Sequence, residues 1–160
     1  YTPNLLFRQK NNIITGPEAT SIFGVKTIVS MIGAIPLPST YEGAPKFLDV
    51  VKNKIEKGET VTIYPEAHIW PHYTKIRNFK EASFGYPLSI NCPVICVTNT
   101  FVPHKKRYKL LTHIDGPFYP DQNLNRKEAK TKLRNQVYET MIMRSLEVKQ
   151  YEKYRYIKID

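Results

Sequence analysis

The sequence has no apolar run long enough to cross a bilayer. A membrane-spanning helix needs roughly 18–20 consecutive apolar residues. The best candidate among the 160 residues, segment 27–38 (TIVSMIGAIPLP), is shorter and is interrupted by Gly33 and Pro36. The segment that opens the chain does not have the pattern of a secretory signal peptide. Within these residues the sequence therefore predicts no spanning helix and shows no signal peptide.

Cysteine is scarce, with two residues in the whole chain. Cys92 and Cys96 lie in an apolar stretch, and their spacing is not the C-x-x-C pattern of redox or zinc sites. We predict that both are reduced residues of a buried strand. Unpaired thiols of this kind are typical of a cytosolic protein.

Acidic residues are also few, since 14 Asp and Glu stand against 24 Lys and Arg. The net charge is +10, and residues 105–160 carry 14 basic against 7 acidic side chains. A basic surface favours an anionic partner, namely nucleic acid, an anionic membrane face or a phosphorylated ligand. The alternative is that the charge serves only to keep the protein soluble.

Several familiar motifs are missing. The chain has neither the G-x-S-x-G turn of a nucleophilic serine nor the glycine pattern of a phosphate-binding P-loop. It also lacks a recognisable nucleic-acid-binding module, although it contains 11 tyrosines. The sequence therefore predicts no serine nucleophile and no nucleic-acid partner.

Strand-like and helix-like segments alternate along the chain. Strands are predicted at Asn4–Gln9, Gly33–Pro38, Thr60–Pro65, Pro93–Val102 and Arg107–Pro117. Helices are predicted at Gly16–Gly33, Ala44–Gly58, within Lys80–Ile90, and at Arg126–Lys153. This alternation predicts one α/β domain over residues 1–160, with a mainly parallel central sheet flanked by helices. The short link between the last two strands favours an antiparallel pair.

Two of the predicted helices have a clear apolar face. In the helix predicted at Ala44–Gly58, the apolar face comprises Phe47, Val50, Val51 and Ile55. In the last it comprises Ala129, Leu133, Val137, Met141 and Leu146. The last helix is also strongly basic, so it either packs on the core with a solvated basic back or lies on a membrane surface.

The most unusual stretch is segment 61–80 (VTIYPEAHIWPHYTKIRNFK). A β-prone strand runs into Pro65-Glu66, and Pro65 both fixes its own φ and restricts Tyr64. Ligands of open α/β sheets bind at the carboxyl ends of strands, so Glu66 is the first candidate for a site residue. The alternative is that Glu66 caps a helix or a turn.

Histidines and cations follow Glu66. His68 and His72 have the i, i+4 spacing of metal ligands, but Pro71 separates them and no third ligand lies nearby in sequence. We therefore expect His68 to line a pocket or to pack, and expect no metal. Lys75 and Arg77 would point the same way from an extended segment, either as a phosphate clamp or as a solvated face.

This block resembles the central block of the phospholipid/glycerol acyltransferase family, the lysophosphatidic-acid-acyltransferase-like enzymes. In that family a strand ends in Phe-Pro-Glu-Gly-Thr-Arg, a basic loop follows, Phe-Lys-x-Gly opens a helix, and a later strand begins with Pro-Val. Here Tyr64-Pro65-Glu66-Ala67, Phe79-Lys80-Glu81-Ala82 and Pro93-Val94 stand in the same order. The resemblance covers roughly Ile28–Val102 and implies a glycerol-phosphate-acyltransferase-like fold.

The chain also departs from the family. Ala67, His68 and Ile69 replace the Gly, Thr and Arg of the first motif, and Pro38-Ser39 stands where an upstream arginine is usual. The family's catalytic His-x-x-x-x-Asp is missing, because none of the four histidines has aspartate five positions later. We therefore expect that pair to precede Tyr1, the domain to be truncated at its N-terminal side, and this chain alone to be inactive.

The resemblance implies transfer of an acyl group from acyl-CoA or acyl carrier protein to a hydroxyl of a lysophospholipid or glycerol-phosphate-type acceptor, in phospholipid biosynthesis. Glu66 would shape the charge-complementary cradle and support the acceptor pocket rather than act as the base. Substrate contacts are expected from Tyr64, Pro65, Ala67, His68, Lys75, Arg77, Phe79 and Lys80. No cofactor beyond the thioester is expected, and the protein would sit in the cytoplasm, peripherally on an anionic membrane surface. The alternative is a non-catalytic relative that binds anionic lipid.

Overall fold

The structure, a computed structural model, describes residues 8–16, 33–67 and 70–157. The chain forms two compact units, Tyr1–Tyr64 and Pro65–Asp160. The helix predicted at Gly16–Gly33 lies almost entirely outside the described residues. So does most of the strand predicted at Asn4–Gln9.

The described part of the first unit contains a three-stranded parallel sheet. Its strands are β1 (Asn11–Thr15), β2 (Ala34–Pro36) and β3 (Thr60–Thr62), in the order β2-β1-β3. We predicted β2 as part of Gly33–Pro38. The prediction for β3 was too long, since the strand ends at Thr62 and not at Pro65.

Strand β1 was not predicted, because it begins with two asparagines, which strands usually avoid. Both are buried in the structure, and both bond to the neighbouring strand or its approach. Asn11 Oδ1 accepts hydrogen bonds from the hydroxyls of Thr60 (2.9 Å) and Thr62 (2.8 Å). Asn12 Nδ2 donates to Glu59 Oε2 at 2.7 Å. These partners offset the cost of burying the amides.

Helix α1 (Ala44–Glu56) begins where the sequence predicts and has Pro45 in its first turn, where a missing N–H costs nothing. It ends two residues before the predicted Gly58, whose φ of +73° closes the helix with a bond from Gly58 N to Ile55 O. Of the predicted apolar face, Phe47 and Val51 are buried, whereas Val50 is 45% exposed.

The second unit contains an antiparallel pair of strands, β4 (Val94–His104) and β5 (Arg107–Phe118). The predicted antiparallel pairing is confirmed. The prediction of one mainly parallel sheet is only partly right, because the described strands divide into a parallel group of three and this separate pair. A 3-10 turn (Ala82–Phe84) leads into the short helix α2 (Gly85–Ile90), which was predicted.

Helix α3 (Arg126–Leu146) packs against β4 and β5. It begins at the predicted residue because the side chain of Asn125 accepts hydrogen bonds from Lys127 N and Glu128 N. The core of the unit is formed by Phe79, Phe84, Cys96, Leu133, Val137 and Met141. The predicted end at Lys153 is wrong, and Leu146, predicted on the apolar face, is 77% exposed.

Within the described ranges, no helix combines the length and the apolar composition that a bilayer crossing requires. Both cysteines are free thiols. Cys96 is buried on β4 as predicted, whereas Cys92 is half-buried and precedes the strand.

Candidate functional site

The loop that carries the candidate site begins with a backbone turn at Pro65-Glu66. Ala67 then adopts φ +62°, in the left-handed region that glycine enters freely and alanine does not. His68, a predicted site residue, lies outside the described residues.

Glu66 and Arg77 form the best-defined contact of the loop. Arg77 Nε donates to Glu66 Oε2 at 3.1 Å, and the Arg77 backbone N–H donates to the same oxygen at 3.3 Å. Arg77 Nη2 also donates to the backbone carbonyl of Glu66 at 3.0 Å. The side chains are 24% (Glu66) and 18% (Arg77) exposed. Charge-assisted bonds in so sheltered a position hold both groups in one orientation.

An aromatic group lies against this pair. The guanidinium of Arg77 stacks over the ring of Trp70, at 4.7 Å from the ring centroid. Trp70 stacks in turn on Tyr156 at 5.2 Å, and the Tyr156 hydroxyl donates to the backbone carbonyl of Pro71 at 2.7 Å. The C-terminal segment therefore helps to shape the loop around Glu66.

His72 occupies the middle of the loop in a left-handed conformation, with φ +55°. Its ring packs among Phe101, Tyr108 and Tyr154, at centroid distances of 5.0–5.6 Å. Its Nδ1 atom is buried and has no hydrogen-bond partner in the described part of the chain. Over those same residues, no three His, Cys, Asp or Glu side chains lie close enough together to hold a metal ion.

The remaining predicted site residues are dispersed. Lys75 and Lys80 are exposed, and neither forms an ion pair within residues 8–16, 33–67 and 70–157. Phe79 is buried in the core against Phe84 and Tyr138, so any part it plays in binding is through the backbone that it anchors. Tyr64 belongs to the first unit and is 49% exposed. Pro65 is half-buried, and Ala67 is exposed.

The support that the C-terminal segment gives to the loop was not predicted from the sequence. Gln150 Nε2 donates to the carbonyl of Thr74 at 2.6 Å, and Tyr151 N donates to the carbonyl of Phe101 at 2.7 Å. These contacts were missed because residues 147–153 were predicted to continue α3, which ends at Leu146. The tyrosines at 151, 154 and 156 were the available signal, since an exposed helix end rarely needs three large aromatic side chains.

A separate groove lies in the first unit, with a volume of about 510 Å³. It runs between β2 and α1 and includes Pro38 and Ser39. Its lining combines apolar residues with the lysines Lys10, Lys46 and Lys54. Lys54 pairs with Glu59 at 3.2 Å. The groove thus offers positive charge that the sequence alone did not place there.

Among known proteins, one solved structure is similar to this chain. No family matches the chain, and no curated protein matches it. Among solved structures, the chain is similar to the crystal structure of the 1-acyl-sn-glycerophosphate (LPA) acyltransferase PlsC from Thermotoga maritima, with 19% identity and a TM-score of 0.48. The match covers 82% of this chain and 57% of that one, so the chain spans little more than half of its length. A similarity this loose does not bear on the reaction or its substrates.

Proposed function

We propose that this chain is part of an O-acyltransferase that transfers an acyl group from acyl-CoA or acyl carrier protein to a lysophospholipid or glycerol-phosphate-type acceptor. The observation that carries the proposal is the Glu66–Arg77 pair. The carboxylate that follows β3 in the acyltransferase-like motif is fixed by an arginine of the basic loop, through 3.1 and 3.3 Å bonds to one oxygen. The order of motifs along the sequence supports the same assignment.

The chemistry requires a hydroxyl to attack a thioester carbonyl. A base takes the proton of the hydroxyl, a tetrahedral oxyanion forms, and the carbon–sulfur bond breaks to release the thiol, which regains a proton. In the family that base is a histidine oriented by aspartate, and the present 160 residues contain no such pair. The proposal therefore refers to the protein as its whole natural reading frame encodes it.

Within this chain we assign Glu66 as a positioning residue. Its carboxylate is engaged by Arg77, so its effect is to fix the loop that carries Lys75 and Lys80. Those two exposed lysines supply positive charge for an anionic headgroup or for the phosphates of the donor. The protein would act in the cytoplasm at an anionic membrane surface, where a lysophospholipid acceptor resides.

The test is an acyl-transfer assay with the chain expressed in its natural reading frame, including any residues encoded before Tyr1. Thiol release from acyl-CoA or acyl carrier protein should depend on added lysophosphatidate. Glu66→Gln should lower the rate at least about tenfold, because the loss of one charge-assisted contact misplaces the loop. Glu139→Gln, an exposed glutamate of α3, is the matched control and should leave the rate unchanged.

Two results would oppose this proposal. Equal rates for Glu66→Gln and Glu139→Gln would remove Glu66 from the site. A fall in activity no larger than the fall in folded fraction, measured by thermal unfolding of both variants, would make Glu66 purely structural.

The alternative is a relative that binds anionic lipid without catalysis. These 160 residues contain no His-x-x-x-x-Asp motif. Absence of the same motif from the whole reading frame, together with lipid binding and no thiol release, would select this alternative.

A further inference from the structure

Aromatic side chains gather at one end of the second unit. They come from the loop after Glu66, from the tip of the β4–β5 hairpin and from the C-terminal segment: Trp70, His72, Tyr73, Phe101, Tyr108, Tyr151, Tyr154 and Tyr156. We name this set the aromatic cluster. Neighbouring rings lie 5.0–5.7 Å apart between centroids. The ring contacts fall into two groups, Trp70 with Tyr73 and Tyr156, and His72 with Phe101, Tyr108, Tyr154 and, through Tyr108, Tyr151. The two groups adjoin along the chain, since residues 70–73 and 154–156 contribute to both.

The cluster is only partly covered. Trp70 is 43% exposed, Tyr108 37%, Tyr154 50% and Tyr156 41%. Ile157, next to Tyr156, is 76% exposed. Large apolar groups that are grouped and half-exposed mark a contact surface more often than singly scattered ones do.

Positive charge surrounds these rings. The hairpin tip and the C-terminal segment contribute six exposed cations: Lys105, Lys106, Arg107, Lys109, Lys153 and Arg155. Over residues 104–109 and 150–157 the only acid is Glu152. The Lys153 ammonium lies 5.2 Å from the Tyr154 ring centroid, so charge and aromatic surface adjoin directly.

We propose that the aromatic cluster and its rim of cations dock on the interface of an anionic lipid bilayer. Trp and Tyr prefer the headgroup level of a membrane because one end of the ring is apolar and the other polar. Lysines and arginines beside them are attracted to anionic headgroups. This inference rests on the proposed function, which requires the protein to contact a membrane but does not say with which residues. The aromatic cluster supplies those residues.

Helix α3, the membrane-binding element that the sequence suggested, is less suitable. Its apolar residues Ala129, Leu133, Val137 and Met141 are buried against the core of the unit. A helix that lies in a bilayer interface must present such a face to the lipid. Within the described residues, by contrast, the aromatic cluster keeps exposed ring surface, since Trp70 is 43% and Tyr154 50% exposed.

The surface adjoins the candidate site through Trp70. That ring belongs to the cluster and also covers Arg77, which holds Glu66. A bilayer in contact with Trp70 would bring headgroups to the loop of Lys75 and Lys80. Docking would therefore deliver a lipid acceptor to the site rather than merely anchor the protein.

Single-stranded nucleic acid is the main rival partner, because it too binds aromatic and basic surfaces. Bases need open ring faces on which to stack. Here Trp70 is already stacked on Tyr156, and Tyr108 on Tyr151. One face of each of these four rings is therefore taken by its neighbour, and the Arg77 guanidinium also lies over Trp70, so fewer open faces are left for bases to stack on.

Trp70 provides the direct test, since it is the only tryptophan in the chain. The 160-residue chain is mixed with vesicles of phosphatidylcholine alone or of phosphatidylcholine with 30% phosphatidylglycerol, and its emission spectrum is recorded. We expect a blue shift and co-sedimentation with the anionic vesicles and neither with the neutral ones. Binding to anionic vesicles without a change in Trp70 emission would overturn the proposal, as would the absence of binding.

Matched variants locate the contact. Lys106→Gln with Lys109→Gln should weaken vesicle binding about 10–30-fold, because each cation near the surface contributes about a fivefold factor. Lys127→Gln with Lys132→Gln removes the same charge from exposed positions in the first two turns of α3, at the end of that helix remote from the C-terminal segment. Equal weakening by both pairs would show attraction by net charge alone and would overturn the proposed surface.

Two further measurements separate this inference from its rivals. Tighter binding to single-stranded RNA than to anionic vesicles at the same salt concentration would also overturn it. Acyl transfer to a short-chain, monomeric lysophosphatidate needs no bilayer. Both properties are measured on the protein expressed from its natural reading frame. No vesicle binding with that activity intact would therefore reject the docking surface alone, whereas vesicle binding without any acyl transfer would reject the proposed function alone.

Discussion

The side-chain amide of Gln150 donates a 2.6 Å hydrogen bond to the backbone carbonyl of Thr74. The same nitrogen donates to Ser145 O at the end of α3 (2.9 Å), and Oε1 accepts from Phe101 N on the free edge of β4 (3.3 Å). One amide thus joins the candidate loop, a helix end and a strand edge. Each of these backbone groups would otherwise need another partner.

Replacement of Gln150 by alanine should lower the free energy of unfolding by about 1–3 kcal/mol, because it leaves three partly buried backbone groups without their partner. Urea unfolding measures this change. Gln136→Ala, at an exposed position of α3, is the control and should change stability by less than about 0.5 kcal/mol. Equal effects of the two substitutions would show that the Gln150 contacts contribute nothing.

Substitution at Ala67 should depend on backbone conformation. Because φ is +62°, Ala67→Val should lower the free energy of unfolding by about 1–2 kcal/mol, since a β-branched residue is strained there. Ala67→Gly should be tolerated, because glycine enters this region without strain and the side chain is exposed. Thermal unfolding of both variants tests this, and a valine variant as stable as the glycine variant would contradict it.

Asp115 and Arg144 should make stability depend on pH. Three contacts of 2.5–3.1 Å from the Arg144 guanidinium hold the pKa of the Asp115 carboxyl below its ordinary value of 3.8. A lowered pKa means that the folded state binds this proton less readily than the unfolded state. The contribution is therefore complete above about pH 5 and is lost as the pH falls through 3.8 and below.

This pH dependence can be measured with Asp115→Asn. At pH 7 the variant should be about 1–2 kcal/mol less stable to urea than the parent chain, and at pH 3 the difference should shrink. Asp49→Asn, on an exposed position of α1, controls for the loss of negative charge. A difference that stays constant between pH 7 and pH 3 would exclude the ion pair as its source.

The buried thiol of Cys96 should react slowly. Burial raises the pKa of this thiol, so less of the reactive thiolate is present at pH 8 than in a free cysteine. In a Cys92→Ser variant, a thiol reagent should modify the folded chain at least about 10-fold more slowly than the chain in urea, because the side chain is also 3% exposed. Similar rates in both states would show that Cys96 is accessible.

Periodicity predicted the elements that are long and regular. Helix α3 and the β4–β5 pair follow from apolar spacing and from one short connection, so their existence and start could be read from the sequence. Strand β1 could not, because its buried residues are Asn11 and Asn12, whose burial depends on partners near residue 60. The end of α3 was missed because the contacts of Gln150 with distant backbone, not local propensity, determine the path after Leu146.

In the candidate site, too, local sequence predicted some features, and contacts with distant residues determined the others. Glu66 was identified as a candidate because it follows a predicted strand, and Arg77 because it alternates with Lys75, but their pairing was not predicted. The loop between them reverses through left-handed residues, Ala67 and His72, neither of which is glycine. Such conformations are imposed by surrounding contacts, such as the packing of His72 against Tyr108, and leave no mark in local sequence.

The buried asparagines of β1 also specify the register in which β1 pairs with β3. A shift of one residue between β1 and β3 would carry the Asn11 oxygen away from the hydroxyls of Thr60 and Thr62 and reverse which side chains face inward. Strands as short as β3, with three residues, have few backbone bonds with which to reject such a slip. Here two amide side chains that bond to residues 59–62 make misalignment of β1 and β3 costly, so that these two short strands keep a single register.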